Sequence, residues 1–251
     1  MTQQSRQSMP GARQTPGPAI GRNLLPSREE WDVRNRVLAD ALAGLVNRHS
    51  PDNTRRALDV GCQWGMLLEA MARRVEKGWW GVDPVIDRHL SRSGFELSPG
   101  AADDIPYPDE AFDCAILANV YEHIPPARRS PSLTEIRRVL APDGVLVGQL
   151  PNPYFPIESH SKLPFMGWLP AGLQDKYWSV SPSRRGAGFY TVTVRDLKHR
   201  AEDAGFSPVL ISRFNYPVEA APESVRWLVR ALQLPMRVVP WSWQFVFRRR
   251  D

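Results

Sequence analysis

Two glycines, Gly61 and Gly65, follow directly on the short apolar run Ala57–Val60, and two acids, Asp59 and Asp83, stand near the ends of such runs. Glycine after a strand lets the backbone turn sharply and approach a ligand with no Cβ in the way. A helix opening behind the turn presents free N–H groups to the same space, and these suit a carboxylate as well as a phosphate. Asp59 can orient a ligand ammonium group or brace the loop, while Asp83 can accept two hydrogen bonds from a ribose diol. Taken alone, the glycine pair reads better as a tight strand-to-helix turn with solvated acids beside it. The second acid, at the matching strand end, reverses that reading and points to an adenosine-bearing ligand. The run Gly61-Cys62-Gln63-Trp64-Gly65 lacks the G-x-G-x-x-G spacing of a dinucleotide site, and no Walker loop is present.

A second group of side chains could move protons. Glu122 and His123 follow the apolar run Phe112–Val120, and Glu158 and His160 lie in an irregular stretch further on. A histidine titrating near neutrality can accept a substrate proton. The structural alternative for Glu122 and His123 is a cap on the turn, and for Glu158 and His160 an exposed loop position. His49, His89 and His199 have charged neighbours and read as surface residues. Cys62 and Cys114 show no spacing of a disulfide framework or zinc site, and no metal is expected. Cys114 should lie towards the opposite end of its strand from the Cys62 turn, which argues against a bond between them.

These groups need elements to hold them. Trp31, Val37, Leu38, Ala41, Leu42 and Leu45 recur at helical spacing up to about Arg48, behind a capping-box pattern at Ser27–Glu30. From Arg56 the texture alternates. Strands are expected at Ala57–Val60, Trp79–Asp83, Phe95–Leu97, Phe112–Val120 and Val145–Leu150, with helices at Met66–Val75 and from Ser130-Pro131 to Leu140. This β-α-β-α-β rhythm predicts a parallel, doubly wound sheet. After Pro151 the rhythm breaks, and residues 151–190 carry many aromatics and prolines without a period. A helix at Val194–Ala204, a helical stretch at Glu223–Leu232 and strands at Ser207–Phe214 and Trp243–Phe247 complete the chain.

The 251 residues carry a net charge of +5, a small excess that speaks for arginine-rich rims more than for a nucleic-acid groove. Residues 1–26 are poor in apolar groups and read as a disordered leader before a single domain over 27–251. No signal peptide or spanning segment is evident, so a cytoplasmic protein is expected. The C-terminal stretch interleaves Trp227, Leu228, Leu232, Leu234, Trp241, Trp243 and Phe245 with arginines. That pattern fits either peripheral contact with an anionic membrane or a core helix and final strand with a charged end.

Ala57–Gly65 resembles motif I of the class I S-adenosylmethionine-dependent methyltransferases, close to the type 11 family, and Gly81-Val82-Asp83 resembles their ribose-binding strand end. Asp103–Asp113 is similar to the stretch running past the adenine, Ala118–Ile124 to the segment after the following strand, and Arg138–Leu146 to the next block. The match covers about residues 55–152, in order. It implies a Rossmann-like, doubly wound α/β sheet of seven strands, mostly parallel with an antiparallel C-terminal strand, plus an irregular lid insert at about 151–190. It implies S-adenosyl-L-methionine held by Asp59, Gly61, Cys62, Gln63, Gly65, Asp83, Ala102, Asp103, Ala118 and Asn119. Ala101 stands where many members carry an acid near the adenine, which leaves that contact either to Asp103 or to no residue. Gln63 stands where glycine is usual and would narrow the pocket.

The activity implied is O-methylation of a small-molecule, lipid or glycan acceptor, with His123, Glu122, His160 and Glu158 as catalytic candidates. The alternative is a non-catalytic binding module whose cofactor turn Gln63 has impaired. Aromatics in the insert, among them Tyr154, Phe155, Phe165, Trp168, Tyr177, Trp178 and Tyr190, suit a bulky or ring-shaped acceptor or seal the lid to the core. Pro151–Tyr154 is similar to the Asn-Pro-Pro-Tyr site of nucleic-acid amino-methylating enzymes but follows a different strand, and no nucleic-acid partner is expected.

Overall fold

The computed structural model describes residues 28–51, 55–92, 94–158, 160–161, 163–181, 190–221, 223, 226–231, 236 and 238–250. The expected leader and the capping serine at Ser27 lie outside these residues. A long helix, α1 (Arg28–His49), precedes β1 (Arg56–Val60), α2 (Met66–Ala72), β2 (Gly78–Asp83), β3 (Leu90–Arg92) and β4 (Phe95–Pro99). Then come β5 (Phe112–Ala118), α3 (Pro126–Val139), β6 (Leu140–Pro151), α4 (Ala171–Trp178), α5 (Val194–Asp203), β7 (Phe206–Phe214), α6 (Arg226–Ala231) and β8 (Ser242–Arg249).

The strands form one sheet in the order β3-β4-β2-β1-β5-β6-β8-β7. Strands β4, β2, β1, β5 and β6 run parallel, and β8 pairs antiparallel with both β6 and β7. The chain winds outward from β1 in one direction and then resumes from β5 in the other. Ligands in such open sheets bind beyond the carboxyl ends of the strands at that switch.

The central strands are apolar almost throughout because both faces are covered. On one face, Cys114 and Ile116 of β5 pack with Leu38, Leu42 and Val46 of α1 and Leu68 and Met71 of α2. On the other, Ala115 and Leu117 meet Leu133, Ile136 and Val139 of α3 and Leu197 and Ala201 of α5. The alternation along β5 is the period-two signature of a strand buried on both sides.

Four expectations need correction. The sheet has eight strands rather than seven, because Leu90–Arg92 folds back as an antiparallel edge on β4. That edge is short and largely solvent-facing, so it leaves no apolar run. α3 begins at Pro126, a turn before Ser130, since Pro125-Pro126 supplies a preset φ at the helix start. Ser130 caps nothing there; its hydroxyl accepts from Arg200 at 3.1 Å. β6 begins at Leu140 rather than Val145, ahead of Pro142–Gly144, where Asp143 takes φ 61°. β5 stops at Ala118 because Asn119 takes the left-handed conformation, at φ 56°.

The irregular stretch after Pro151 contains a 3₁₀ turn at Met166–Trp168 and α4. Its aromatics divide between core and surface. Phe155 is buried and stacks on Trp241 with ring centroids 5.1 Å apart, whereas Phe165 and Trp168 are exposed. Near the C-terminus, Trp241, Phe245 and Phe247 are core residues, and Trp227 stays exposed. Leu232 and Leu234 fall outside the described residues. No helix among those described is long and apolar enough to cross a membrane.

Candidate active site

The turn after β1 is built on the neighbouring strand. Gly61 and Cys62 donate their N–H groups to the Val82 carbonyl, at 2.8 and 3.2 Å, and Gly65 closes the turn on the Cys62 carbonyl. Gly61 and Gly65 both sit at φ 81°, the left-handed region that glycine enters without strain. A Cβ on Gly61 would lie 2.5 and 2.7 Å from the Val120 methyls, so the close approach of the following segment also requires glycine.

Asp83 ties this turn to the next. Its Oδ2 accepts the Gln63 N–H at 2.8 Å, and its Oδ1 accepts the Val85 N–H at 2.8 Å. Gln63 takes φ 50° to donate this bond, and its side chain is exposed at the rim. A cleft of about 470 Å³ remains open between Gln63, Asp83, Asn119 and Arg128. Gln63 and Trp64 form part of the cleft's lining on the β1 side.

Asp59 is buried beneath the same turn. Burial, and then the neighbouring charge of Asp83, push its carboxyl up to about 8. A carboxylate at that depth is stabilised in its ionised form when a cation stands beside it. Cys62 and Cys114 are both free and buried, and burial raises the Cys62 thiol. Neither is a nucleophile in this state.

Beyond β4, Ala102 and Asp103 line the cleft, and Ala101 and Asp104 exchange backbone hydrogen bonds that tighten their loop. The Asp103 carboxylate is gripped by the Arg128 guanidinium through both of its oxygens. Arg128 had no signal in the sequence, because its partner lies on a different loop and only the fold brings them together. Asn119 and Val120 reach the cleft, whereas Ala118 pairs with Gln149 in the sheet. Asp59, Cys62 and Gly65 are not among the residues that line the cleft.

The four catalytic candidates converge. A 3₁₀ turn, Tyr121–His123, follows Asn119 and sends Glu122 inward and His123 onto the cleft wall. The insert returns His160 to this point, with its ring edge-on to His123 at 5.0 Å. His160 Nε2 stands 3.7 Å from Glu122 Oε1, and its Nδ1 is 2.8 Å from Glu158 Oε1. The backbone N–H groups of His160 and Ser161 also donate to the Glu158 carboxylate. Burial alone would raise Glu158, but the His160 ring and these amides outweigh it and hold the carboxyl at about 2. Burial raises the Glu122 carboxyl in spite of His160 and His123. Glu122 is 3% exposed, and neither of its carboxylate oxygens accepts a hydrogen bond.

A further polar group beside Asn119 was also not legible in the sequence. Tyr216 donates to the Gln149 side-chain oxygen at 3.2 Å, and Gln149 donates to Ser242 at 2.8 Å. The Arg34 guanidinium lies 4.9 Å from the Tyr216 ring centre and 5.2 Å from that of Trp241.

Residues 32–211 match the family described as a methyltransferase domain. The chain is 27% identical over 229 residues to a demethylmenaquinone methyltransferase of Lactobacillus johnsonii, covering 77% of this chain and 91% of the relative. It is 33% identical over 165 residues to a ubiquinone biosynthesis O-methyltransferase of Cereibacter sphaeroides, covering 61% of each. Among solved structures, an S-adenosylmethionine-dependent methyltransferase from Mesorhizobium loti aligns with TM-score 0.57 at 15% identity, over 84% of this chain and 100% of that one. The chain belongs to the methyltransferase-domain family and is an enzyme that takes its methyl group from S-adenosylmethionine.

Proposed function

We propose that this enzyme O-methylates a small, largely apolar molecule through a hydroxyl group, with Glu122, His123, Glu158 and His160 activating that hydroxyl. The observation that carries the reading is the convergence of two histidines and two carboxylates at the cleft wall beside Asn119. The relatives lend support, since they include O-methyltransferases of ubiquinone biosynthesis and a fatty-acid O-methyltransferase of Mycolicibacterium smegmatis. Exposed aromatics on the insert, Phe165 and Trp168, are consistent with a lid over an apolar acceptor.

S-adenosylmethionine supplies, when bound, an electrophilic methyl on a sulfonium. Asp83 holds the turn around Gln63 in place and has lone pairs left for a ribose diol. Asp59 offers its carboxylate to an ammonium from beneath. Ala102 and Asp103, kept in position by Arg128, flank the far end of the cleft. The acceptor hydroxyl must shed its proton as its oxygen bonds to carbon, and the histidine–carboxylate cluster assists that loss. Such help is typically worth about 10²–10⁴-fold.

The test is product analysis by mass spectrometry with a panel of hydroxylated aromatic and fatty acceptors, together with His123→Ala and His160→Ala variants. The expected result is a methyl ether or ester product and a loss of about 10²–10⁴-fold in kcat/KM in each variant, with affinity for S-adenosylhomocysteine retained. Transfer to nitrogen or carbon, or full activity in both variants, would overturn the reading.

A further inference from the structure

We infer that Glu122, His123 and His160 form a binding site for one divalent transition-metal cation at the acceptor side of the cleft. One ligand atom from each of the three lies within 4.8 Å of the others. Metal–ligand bonds to imidazole and carboxylate run about 2.0–2.2 Å, so rotamer adjustments alone close this triangle around an ion.

Three features separate the trio from a chance gathering of polar groups. The first is Glu122, whose buried oxygens accept no hydrogen bond. Buried polar atoms are nearly always satisfied, and an ionised carboxylate without compensation is strongly disfavoured, so a cation is the natural complement. The second is the support behind His160. Its Nδ1 is bonded to Glu158, which is itself fixed by two backbone amides. A carboxylate on the remote nitrogen is the usual brace of a metal-binding imidazole, because it sets the tautomer and aims the other nitrogen. Here the other nitrogen is aimed at Glu122, 3.7 Å away. The third is placement: His123 lines the cleft, so coordination positions on that side face the acceptor.

Two imidazoles and one carboxylate favour zinc, cobalt, iron or nickel over magnesium, which prefers an all-oxygen shell. Three protein ligands leave room for a substrate oxygen, the arrangement of catalytic rather than structural sites. The cation therefore deepens the O-methylation reading, on which its catalytic role rests, and selects for an acceptor whose hydroxyl oxygen can reach the open coordination position. The acceptor hydroxyl coordinates, its pKa falls and its proton leaves to solvent. The oxygen's electron pair then forms the O–CH₃ bond as the S–CH₃ bond breaks, leaving its pair on sulfur.

The experiment is titration of the chelator-treated full chain with Zn²⁺, Co²⁺ and Mg²⁺ by calorimetry, with the visible spectrum of the Co²⁺ form as a second readout. The expected result is one Zn²⁺ or Co²⁺ per chain, far weaker Mg²⁺ binding and a Co²⁺ spectrum typical of nitrogen and oxygen ligands. His160→Ala and Glu122→Gln should abolish binding, and Glu158→Gln should weaken it about 10–100-fold. Retained S-adenosylhomocysteine binding checks that each variant is folded. Absence of cation binding in the wild-type chain overturns the proposal, as does binding unchanged in both His160→Ala and Glu122→Gln. Undiminished kcat/KM in the chelated enzyme also overturns it. If the cation binds as expected but no hydroxyl acceptor is methylated, the acceptor reading falls and the cation site stands.

Discussion

The backbone N–H of Gln63 donates to the Asp83 carboxylate at 2.8 Å, joining the turn after β1 to the end of β2. The same carboxylate accepts from Val85. One side chain thus organises both loops that border the cleft. Removing it with Asp83→Ala should weaken S-adenosylhomocysteine binding about 100-fold or more, because two hydrogen bonds to a charged acceptor are lost before any ribose contact is counted. Asp83→Asn, which keeps one acceptor oxygen, should fall between. Calorimetric titration measures both, and unchanged affinity in Asp83→Ala would remove this residue from the cofactor site.

Asp59 makes binding depend on pH. Its folded pKa of about 8 lies above the ordinary value of 3.8, so at neutral pH the ligand-free protein holds a proton there. A ligand ammonium favours the ionised form, so affinity should rise from pH 6 to pH 9 and binding near pH 7 should release a proton. Calorimetry in buffers of different ionisation enthalpy reads that proton directly. A flat affinity across this range would argue against an ammonium beside Asp59.

The same group sets a stability gradient. Between about pH 4 and 8 the folded chain keeps this proton and the unfolded chain does not, so the contribution is fully present below the unfolded pKa and is lost as pH rises through the folded one. Asp59→Asn removes the ionisable group and should raise the Tm of the ligand-free protein at pH 8 while weakening cofactor binding. Thermal melts at pH 5 and pH 8 check this: the gain should be larger at pH 8.

Gly61→Ala should destabilise the chain on two counts. Its φ of 81° opposes any side chain, at about 1–2 kcal/mol, and the new methyl would press on Val120. Adding Val120→Ala should recover the steric part and leave the conformational part. Chemical denaturation of the two single variants and the double variant separates the terms. Additive losses would show that the Val120 contact is not limiting.

Arg128→Ala should leave the Tm almost unchanged, since Arg128 is largely exposed and such ion pairs contribute little. It should nonetheless speed release of S-adenosylhomocysteine, because Arg128 anchors the Asp103 loop against α3 at the cleft wall. Stopped-flow release rates test this, and an unchanged off-rate would assign the pair to the surface alone.

Short-range physics made much of this protein legible in one dimension. Strands buried on both faces must be apolar almost throughout, so β1, β2 and β5 stand out as runs, and the turn they feed must carry glycine at Gly61 and Gly65. Asp83 at a strand end then pointed to the ligand, and the ordered blocks to Leu146 to the family. What depended on distant parts of the chain was not legible. Edge strand β3 exists only because β4 offers it a partner, and α3 starts at Pro126 because two prolines outweigh a serine further on. Glu122 and His123 belong to one segment, Glu158 and His160 to another, and within each pair nothing decides between proton transfer and a cap or an exposed loop. Only the path of the insert across the sheet's carboxyl edge brings the rings within 5.0 Å. Propensities and turn chemistry act over a few residues, while the meeting of two loops is decided by the packing of everything between them.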